Sequence, residues 1–208
     1  MRIAVIGLGD IARKAYLPVL SAVDGAELVF CTRDPGTLRE LGDAYRVTRR
    51  HTSVAEVVDG GADAAFVHAA TGAHPAIVTE LLEAGVPVFV DKPLAYRLED
   101  SERLVELARE RGVPLMVGFN RRYAPGLLAL RELPRDLVIL QKNRHTRPED
   151  PRTMVYDDFI HVADTLRFLA PGEVTTTSVR FRKTGGLLEH VVLELSGDGF
   201  TTSGSCPG

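Results

Sequence analysis

Short, continuous apolar runs recur through the first 118 residues and alternate with stretches in which apolar positions return every third or fourth residue. The runs at 3–6, 27–31, 64–68, 86–90 and 114–117, with a weaker one near 45–48, read as strands buried on both faces rather than half-solvated ones. Between them the periodic stretches predict helices over 11–21, 36–41, 53–58, 75–84 and 99–111. Gly85 and Gly112 stand directly after the last two of these, where a helix commonly ends on a left-handed glycine. Strands alternating with helices in this way predict an α/β fold built on a doubly wound parallel sheet.

The pattern changes after Gly118. A strand begins at Val138, a helix spans about 156–170, and strands at 174–182 and 187–195 form an antiparallel pair turning at Gly185-Gly186. The tail from Thr201 to Gly208 begins like another strand and then ends. Two domains are expected: a doubly wound one at 1–118 and a shortened α+β one at 119–208 with a largely antiparallel, open sheet. An open sheet edge has to be covered by a loop, a partner or further chain, which makes a homo-oligomer, first of all a dimer, the expectation.

Composition narrows the functional classes. Charged residues make up 25% of the 208 positions, the formal net charge is −3, and lysines and arginines are scattered, so neither nucleic acid nor a membrane surface is an expected partner. No apolar stretch approaches membrane-spanning length, and a strand starting at residue 3 leaves no room for a secretory leader, which predicts a cytoplasmic location. Cys31 and Cys206 lie far apart in the sequence and suggest neither a disulfide framework nor a cysteine zinc site.

Candidate chemistry begins at the first strand–helix junction, Gly7-Leu8-Gly9-Asp10-Ile11-Ala12. Glycines at 7 and 9 allow a tight turn and close approach of backbone N–H groups to a pyrophosphate, and the following helix aims its positive end at the same phosphates. Alone the pattern is weak; in the order strand, turn, helix it predicts a dinucleotide site of Rossmann type. The second strand ends in Thr32-Arg33-Asp34. Arg33 can pair with a 2′-phosphate through its planar fork, and Asp34 stands too late to be the usual ribose acceptor, so NADP is favoured; NAD is the alternative if Asp34 reaches back to the ribose.

Two later strand ends open on the same crevice: Thr71-Gly72-Ala73-His74-Pro75 and Asp91-Lys92-Pro93. His74 has two readings, a cofactor contact or a residue of the next helix's first turn beside Pro75. Lys92 places an amine where it can hydrogen-bond a substrate oxygen and stabilise developing charge. In the second domain Asp157, His161 and Asp164 fall on one helix face, with Phe159, Ala163, Leu166 and Ala170 as the opposing apolar stripe. A histidine one turn from a carboxylate can carry a proton near neutral pH. Asp-x-x-x-His also has the spacing of two metal ligands, but no third ligand is evident and no metal is expected. Asp158 is an alternative acid, about a quarter turn away from the His161 face.

These segments resemble the Gfo/Idh/MocA oxidoreductase family. The resemblance rests on the glycine turn, on Ala70-Thr71 followed by His74, on Asp91-Lys92-Pro93-Leu94-Ala95, on Gly118-Phe119-Asn120-Arg121-Arg122-Tyr123 with Pro125, and on Asp157-x-x-x-His161-x-x-Asp164. It implies NAD(P)-dependent hydride transfer to or from a sugar, cyclitol or similar hydroxy/keto compound, with Lys92 on the reacting oxygen, His161 as general acid/base and Asp157 holding it or binding substrate hydroxyls. Gly7, Gly9, Asp10, Ile11, Ala12, Thr32, Arg33, Thr71, His74, Lys92 and Pro93 are then expected along the cofactor, and Asn120, Arg122, Tyr123 and Asp157 along the substrate. Asp91 replaces the glutamate more usual before the lysine, and the chain supplies less of the second-domain sheet than the family does.

Two other readings compete: a non-catalytic dinucleotide-binding regulator or assembly module on the same fold, and a hydrolase or lyase that uses the dinucleotide as an internal redox relay. Arg121, Arg122, Tyr123, Lys142, Asn143 and Arg144 would suit an anionic substrate group, although solvated surface arginines are the commoner case.

Overall fold

Strand β1 (Arg2–Ile6) divides its side chains between two packed faces. Ile3 and Val5 join Leu17, Leu20, Leu38 and Leu41 on one side, while Ala4 and Ile6 join Val57, Val78 and Leu82 on the other. This double burial is why the strand is continuously apolar, as in parallel sheets covered by helices on both faces. The computed structural model describes residues 1–143 and 148–207, which fall into two units, Met1–Gly118 and Phe119–Gly208.

In the first unit β1 is followed by β2 (Glu27–Cys31), β3 (Arg49–His51), β4 (Ala64–Val67), β5 (Val88–Val90) and β6 (Leu115–Val117). They form one parallel sheet in the order β3-β2-β1-β4-β5-β6, the doubly wound arrangement expected from the pattern. The order reverses between β1 and β4. A wide π-helical segment, Ala12–Tyr16, runs into α1 (Leu17–Leu20); with α2 (Pro35–Ala44) it covers one face. Helices α3 (Val54–Asp59), α4 (His74–Glu83) and α5 (Leu98–Arg111) cover the other. Completely buried side chains such as Phe30, Leu81 and Leu104 each contribute roughly 1.5–3 kcal/mol through apolar surface removed from water.

In the first unit two strand starts differ from the sequence expectation by two residues or more, for local reasons. The strand expected near 45–48 starts only at Arg49, because Tyr45 caps α2 and Arg46 turns left-handed with φ +57°. The strand expected from Val86 starts at Val88, because Gly85 turns with φ +75° and the Val86 N–H closes α4 onto Leu81.

The second unit opens with a 3₁₀ turn, Asn120–Tyr123, and α6 (Pro125–Arg131), a helix absent from the sequence reading, whose first residue is proline. Strand β7 (Leu137–Gln141) follows, then short α7 (Pro151–Thr153), a second π-helical segment, Met154–Phe159, and α8 (Ile160–Leu169). Strands β8 (Thr176–Thr184) and β9 (Leu187–Gly197) make the expected hairpin. The tail begins as the strand expected and is corrected in extent and place: β10 (Phe200–Pro207) runs through it as an interior strand of the order β7-β10-β9-β8, parallel to β7 and antiparallel to β9.

Helix α8, with Phe159 at the end of the π-helical segment before it, packs on one face of this mostly antiparallel sheet through Val162 and Leu166. Of the expected stripe, Phe159 and Leu166 are buried and Ala163 packs against them partly buried; Ala170 is corrected, since it lies past the helix end in extended backbone, and Val162 and Leu169 complete a buried face that steps by three and four residues. Gly204 lets α8 approach, since a β-carbon there would lie 2.5 Å from Val162. The opposite face of β7 leaves Leu137 and Ile139 exposed at 61% and 75%.

Candidate functional site

At the carboxyl ends of β1, β2 and β4 a cleft of about 570 Å³ opens in the first unit. Gly7 closes its base with φ +89°, and a β-carbon there would sit 2.5 Å from the backbone nitrogen of Ala69, so only glycine lets β1 turn this close to β4. Its N–H donates to the Cys31 carbonyl at 2.9 Å. A β-carbon on Gly9 would meet nothing within 4 Å, which leaves the backbone open toward a ligand. The helix then starts, with the Arg13 N–H donating to the Gly9 carbonyl at 3.0 Å, and the N–H groups of its first turn have no partner within the helix. Ala12 is fully buried, Ile11 is exposed, and Asp10 pairs with Lys14 on the surface.

Thr32 and Arg33 line the cleft at the tip of β2. Asp34 does not reach back: its two carboxylate oxygens accept from the N–H groups of Gly36 and Thr37, each at 3.1 Å, and cap α2. Hydrogen bonds from Thr37 and Gly36 hold that carboxyl below its usual range. The sequence reading missed the hydroxyls of Thr37, Thr52 and Ser53, which also border the cleft. Ser53 was findable, since Ser53 and Glu56 form a capping box at the start of α3. The Cys31 thiol, 3.4 Å from the Ser53 carbonyl, is pushed up to about 11, first by burial and then by the charges of Glu56 and Glu80.

Thr71 begins a 3₁₀ turn, Thr71–Ala73, that leads into α4. His74 is buried, its Nδ1 3.0 Å from the Pro93 carbonyl and its Nε2 2.9 Å from the Ala69 carbonyl. Of its two readings, the geometry supports the structural one: the ring ties the loop after β4 to the loop after β5. Lys92 follows β5 and its peptide with Pro93 is cis. The preceding Asp91 accepts from the Tyr16 hydroxyl at 3.1 Å and from His68 Nδ1 at 2.8 Å. Neither Tyr16 nor His68 was singled out in the sequence.

In the second unit Asp157 is exposed and His161 half-buried, one turn apart across the junction of the π-helical segment and α8. Asp164 is corrected from that group. It is buried and grips Arg122 through Nε at 3.0 Å to each oxygen and through Nη2. Arg122, expected along the substrate, is thus committed within the unit; its guanidinium also lies over the rings of Phe119 and Phe168 at 5.6 and 5.8 Å. Asp158, the alternative acid, is paired with Lys142. Asn120 and Tyr123 lie on the 3₁₀ turn, Tyr123 exposed. Arg144 lies outside the described residues.

A family model described as an oxidoreductase family with an NAD-binding Rossmann fold, Gfo/Idh/MocA, matches residues 1–119. The chain is 40% identical over 185 residues to YceM of Salmonella typhimurium, a protein named as an oxidoreductase, covering 86% of this chain and 59% of that protein. It is 34% identical over 204 residues to inositol 2-dehydrogenase 3 of Saccharopolyspora erythraea, covering 92% of this chain and 60% of that one. Among solved structures, a Gfo/Idh/MocA family oxidoreductase from Vibrio cholerae aligns with a TM-score of 0.91 at 39% identity, covering all of this chain and 69% of that one. The chain therefore spans about 60% of the length of these curated relatives.

Proposed function

The chain belongs to the Gfo/Idh/MocA oxidoreductase family, and from that premise we propose that it serves NAD(P)-dependent hydride transfer between a nicotinamide and a hydroxyl or keto carbon of a cyclitol or sugar. The observation that carries the reading lies within the first unit: the glycine-floored cleft at the β1–β4 reversal, with Lys92 at the end of neighbouring β5. The inositol dehydrogenase name of the Saccharopolyspora relative supports the substrate class.

The first unit is the dinucleotide domain. Gly7, Gly9 and the first turn after them hold the pyrophosphate, with Asp10, Ile11 and Ala12 shaping that turn; Thr32 and Arg33 meet the adenosine ribose. Thr71 and Pro93, which stand outside the lining of the cleft, meet the cofactor beyond it, and His74 contributes through the loops it joins. NADP is preferred over NAD, because Arg33 borders the cleft while Asp34 is engaged as a helix cap. The nicotinamide, when bound, accepts or delivers the hydride.

Lys92 hydrogen-bonds the reacting oxygen and stabilises charge that develops on it. In the oxidative direction the hydroxyl proton passes to the His161 imidazole as the hydride leaves carbon, and returns from it on reduction. Asp157 orients His161 or binds substrate hydroxyls. The second unit is the substrate and oligomerisation domain, with Asn120 and Tyr123 toward substrate; Arg122 acts there through the turn it anchors. A homodimer forms through the open sheet face that exposes Leu137 and Ile139. The buried thiols Cys31 and Cys206 suit a reducing cytoplasm.

Calorimetric titration with NADPH and NADH, on the wild type and Arg33→Ala, tests the foundation. NADPH binding that weakens at least about tenfold in Arg33→Ala, with NADH binding little changed, is expected. A polyol screen would then show turnover lost in Lys92→Ala and His161→Ala. Binding of neither cofactor would overturn the reading.

A further inference from the structure

Strands β4 and β5 run parallel with Val67 beside Val90. His68 and Asp91 are the next residue of each strand, so they leave the sheet side by side, on the same face as Phe66 and Phe89, whose rings lie 4.9 Å apart. Tyr16 arrives from the wide turn of the first helix, its ring 4.0 Å from that of His68. Each oxygen of Asp91 then takes one donor, Oδ1 from the Tyr16 hydroxyl at 3.1 Å and Oδ2 from His68 Nδ1 at 2.8 Å.

The histidine is chemically informative. Its side chain is entirely buried, and with Nδ1 engaged by Asp91, Nε2 has no partner among the described residues. Burying an unsatisfied polar atom is unfavourable. A position serving packing alone would be filled better by phenylalanine, as positions 66 and 89 are. What the imidazole adds is the N–H donated to Asp91.

That carboxylate stands one residue before Lys92. The Asp91 backbone N–H is held by the Val67 carbonyl at 3.0 Å, and on the other side of Lys92 the Pro93 carbonyl is held by His74 at 3.0 Å. Lys92 therefore projects from a segment anchored on both sides. We propose that Tyr16 and His68 act through Asp91 as positioning residues for the Lys92 amine, fixing the direction in which it is presented. The inference rests on the role given to Lys92 above.

Three variants separate this from packing. His68→Asn keeps an N–H donor where Nδ1 stands and removes the ring; His68→Phe keeps the ring and removes the donor; Asp91→Asn removes the charge at constant shape. Two readouts are taken: kcat and KM on an accepted polyol, and the acetylation rate of Lys92 relative to the exposed Lys14, read by peptide mass spectrometry with acetic anhydride as the probe. His68→Phe and Asp91→Asn are expected to lower kcat by roughly tenfold to a hundredfold with KM within about threefold, as small misplacements of a reacting group do. Both should also change the Lys92 to Lys14 labelling ratio, while His68→Asn stays near the wild type in both readouts. Should His68→Phe match the wild type while His68→Asn does not, or the labelling ratio be the same in all four proteins, the proposal is wrong. Absence of polyol turnover in the wild type would count against the role of Lys92 alone, and the labelling ratio would still decide the positioning.

Discussion

Asp164 and Arg122 are joined as carboxylate to fork: Nε lies 3.0 Å from each Asp164 oxygen and Nη2 donates as well, with the Asp164 side chain only 6% exposed. The pair ties the turn Asn120–Tyr123 to α8, and the same donation holds the Arg122 guanidinium above its ordinary pKa. Arg122, which the resemblance places along the substrate, and Asp164, which the helix pattern places on the face of His161, thus form part of the frame on which the second unit is built.

Breaking that pair should weaken the second unit. Asp164→Asn leaves a buried amide facing a guanidinium, and Arg122→Lys loses the two-pronged geometry. Because Arg122 is itself 41% exposed, water recovers part of the loss, and about 1–3 kcal/mol is expected for either change. Urea unfolding monitored by circular dichroism measures it, and an unshifted midpoint in both variants would show that the pair adds nothing.

The glycines at 7 and 204 make a paired test. Gly7→Ala forces a side chain into backbone at 2.5 Å with φ +89°, at the floor of the cleft. It should destabilise the first unit by more than about 2 kcal/mol and abolish dinucleotide binding. Gly204→Ala presses on Val162 and Leu166 beneath α8 and should cost about 1–3 kcal/mol by overpacking, with cofactor binding retained. Titration of both variants with NADPH separates the two outcomes, and Gly204→Ala failing to bind while still folded would contradict it.

Cys31 should be a slow thiol. With its pKa pushed up to about 11 by burial and by Glu56 and Glu80, little thiolate exists at pH 8, and the side chain sits against Ser53. Modification by a maleimide should run at least about tenfold slower than for an exposed model thiol and slow further with bound NADPH, since Cys31 borders the cleft. Peptide mass spectrometry reads the site directly, and rapid labelling of Cys31 in the folded protein would overturn the expectation.

Much of the first unit was legible in the sequence because each of its signals is local. The apolar run of β1, the glycine turn and the glycine stops at 85 and 112 each declare themselves within a few residues. The misread parts depend on partners distant in sequence. Thr201, Ser203 and Ser205 look too polar for an interior strand; β10 is one because Thr202, Gly204 and Cys206 turn inward beneath α8 while β7 and β9 satisfy its backbone on both sides. Asp164 and Arg122 are 42 positions apart, and no periodicity announces their pairing. The contact of His68 with Asp91 was readable in principle: once β4 and β5 are taken as parallel neighbours, equal offsets past Val67 and Val90 bring the two together.

Tyr16 gives the last test its sign. Burial, then the charge of Asp91 and the hydrogen bond to it, holds the Tyr16 hydroxyl well above its usual range. In the unfolded chain a tyrosine loses its proton near about pH 10, whereas folded Tyr16 keeps it beyond that. Up to about pH 10 both states are protonated at this site and its contribution to stability is constant; above it the unfolded state gains by releasing a proton that the folded state retains, so stability falls with rising pH. Tyr16→Phe removes the titrating group, and its stability should fall less steeply than that of the wild type between about pH 9.5 and 11. Asp91→Asn removes the two causes that come from Asp91 and leaves burial, so its slope should lie between the others. Urea unfolding of the three proteins across that range measures the slopes, and parallel curves would mean that Tyr16 ionises as freely in the folded protein as in the unfolded one, in conflict with its hydrogen bond to Asp91.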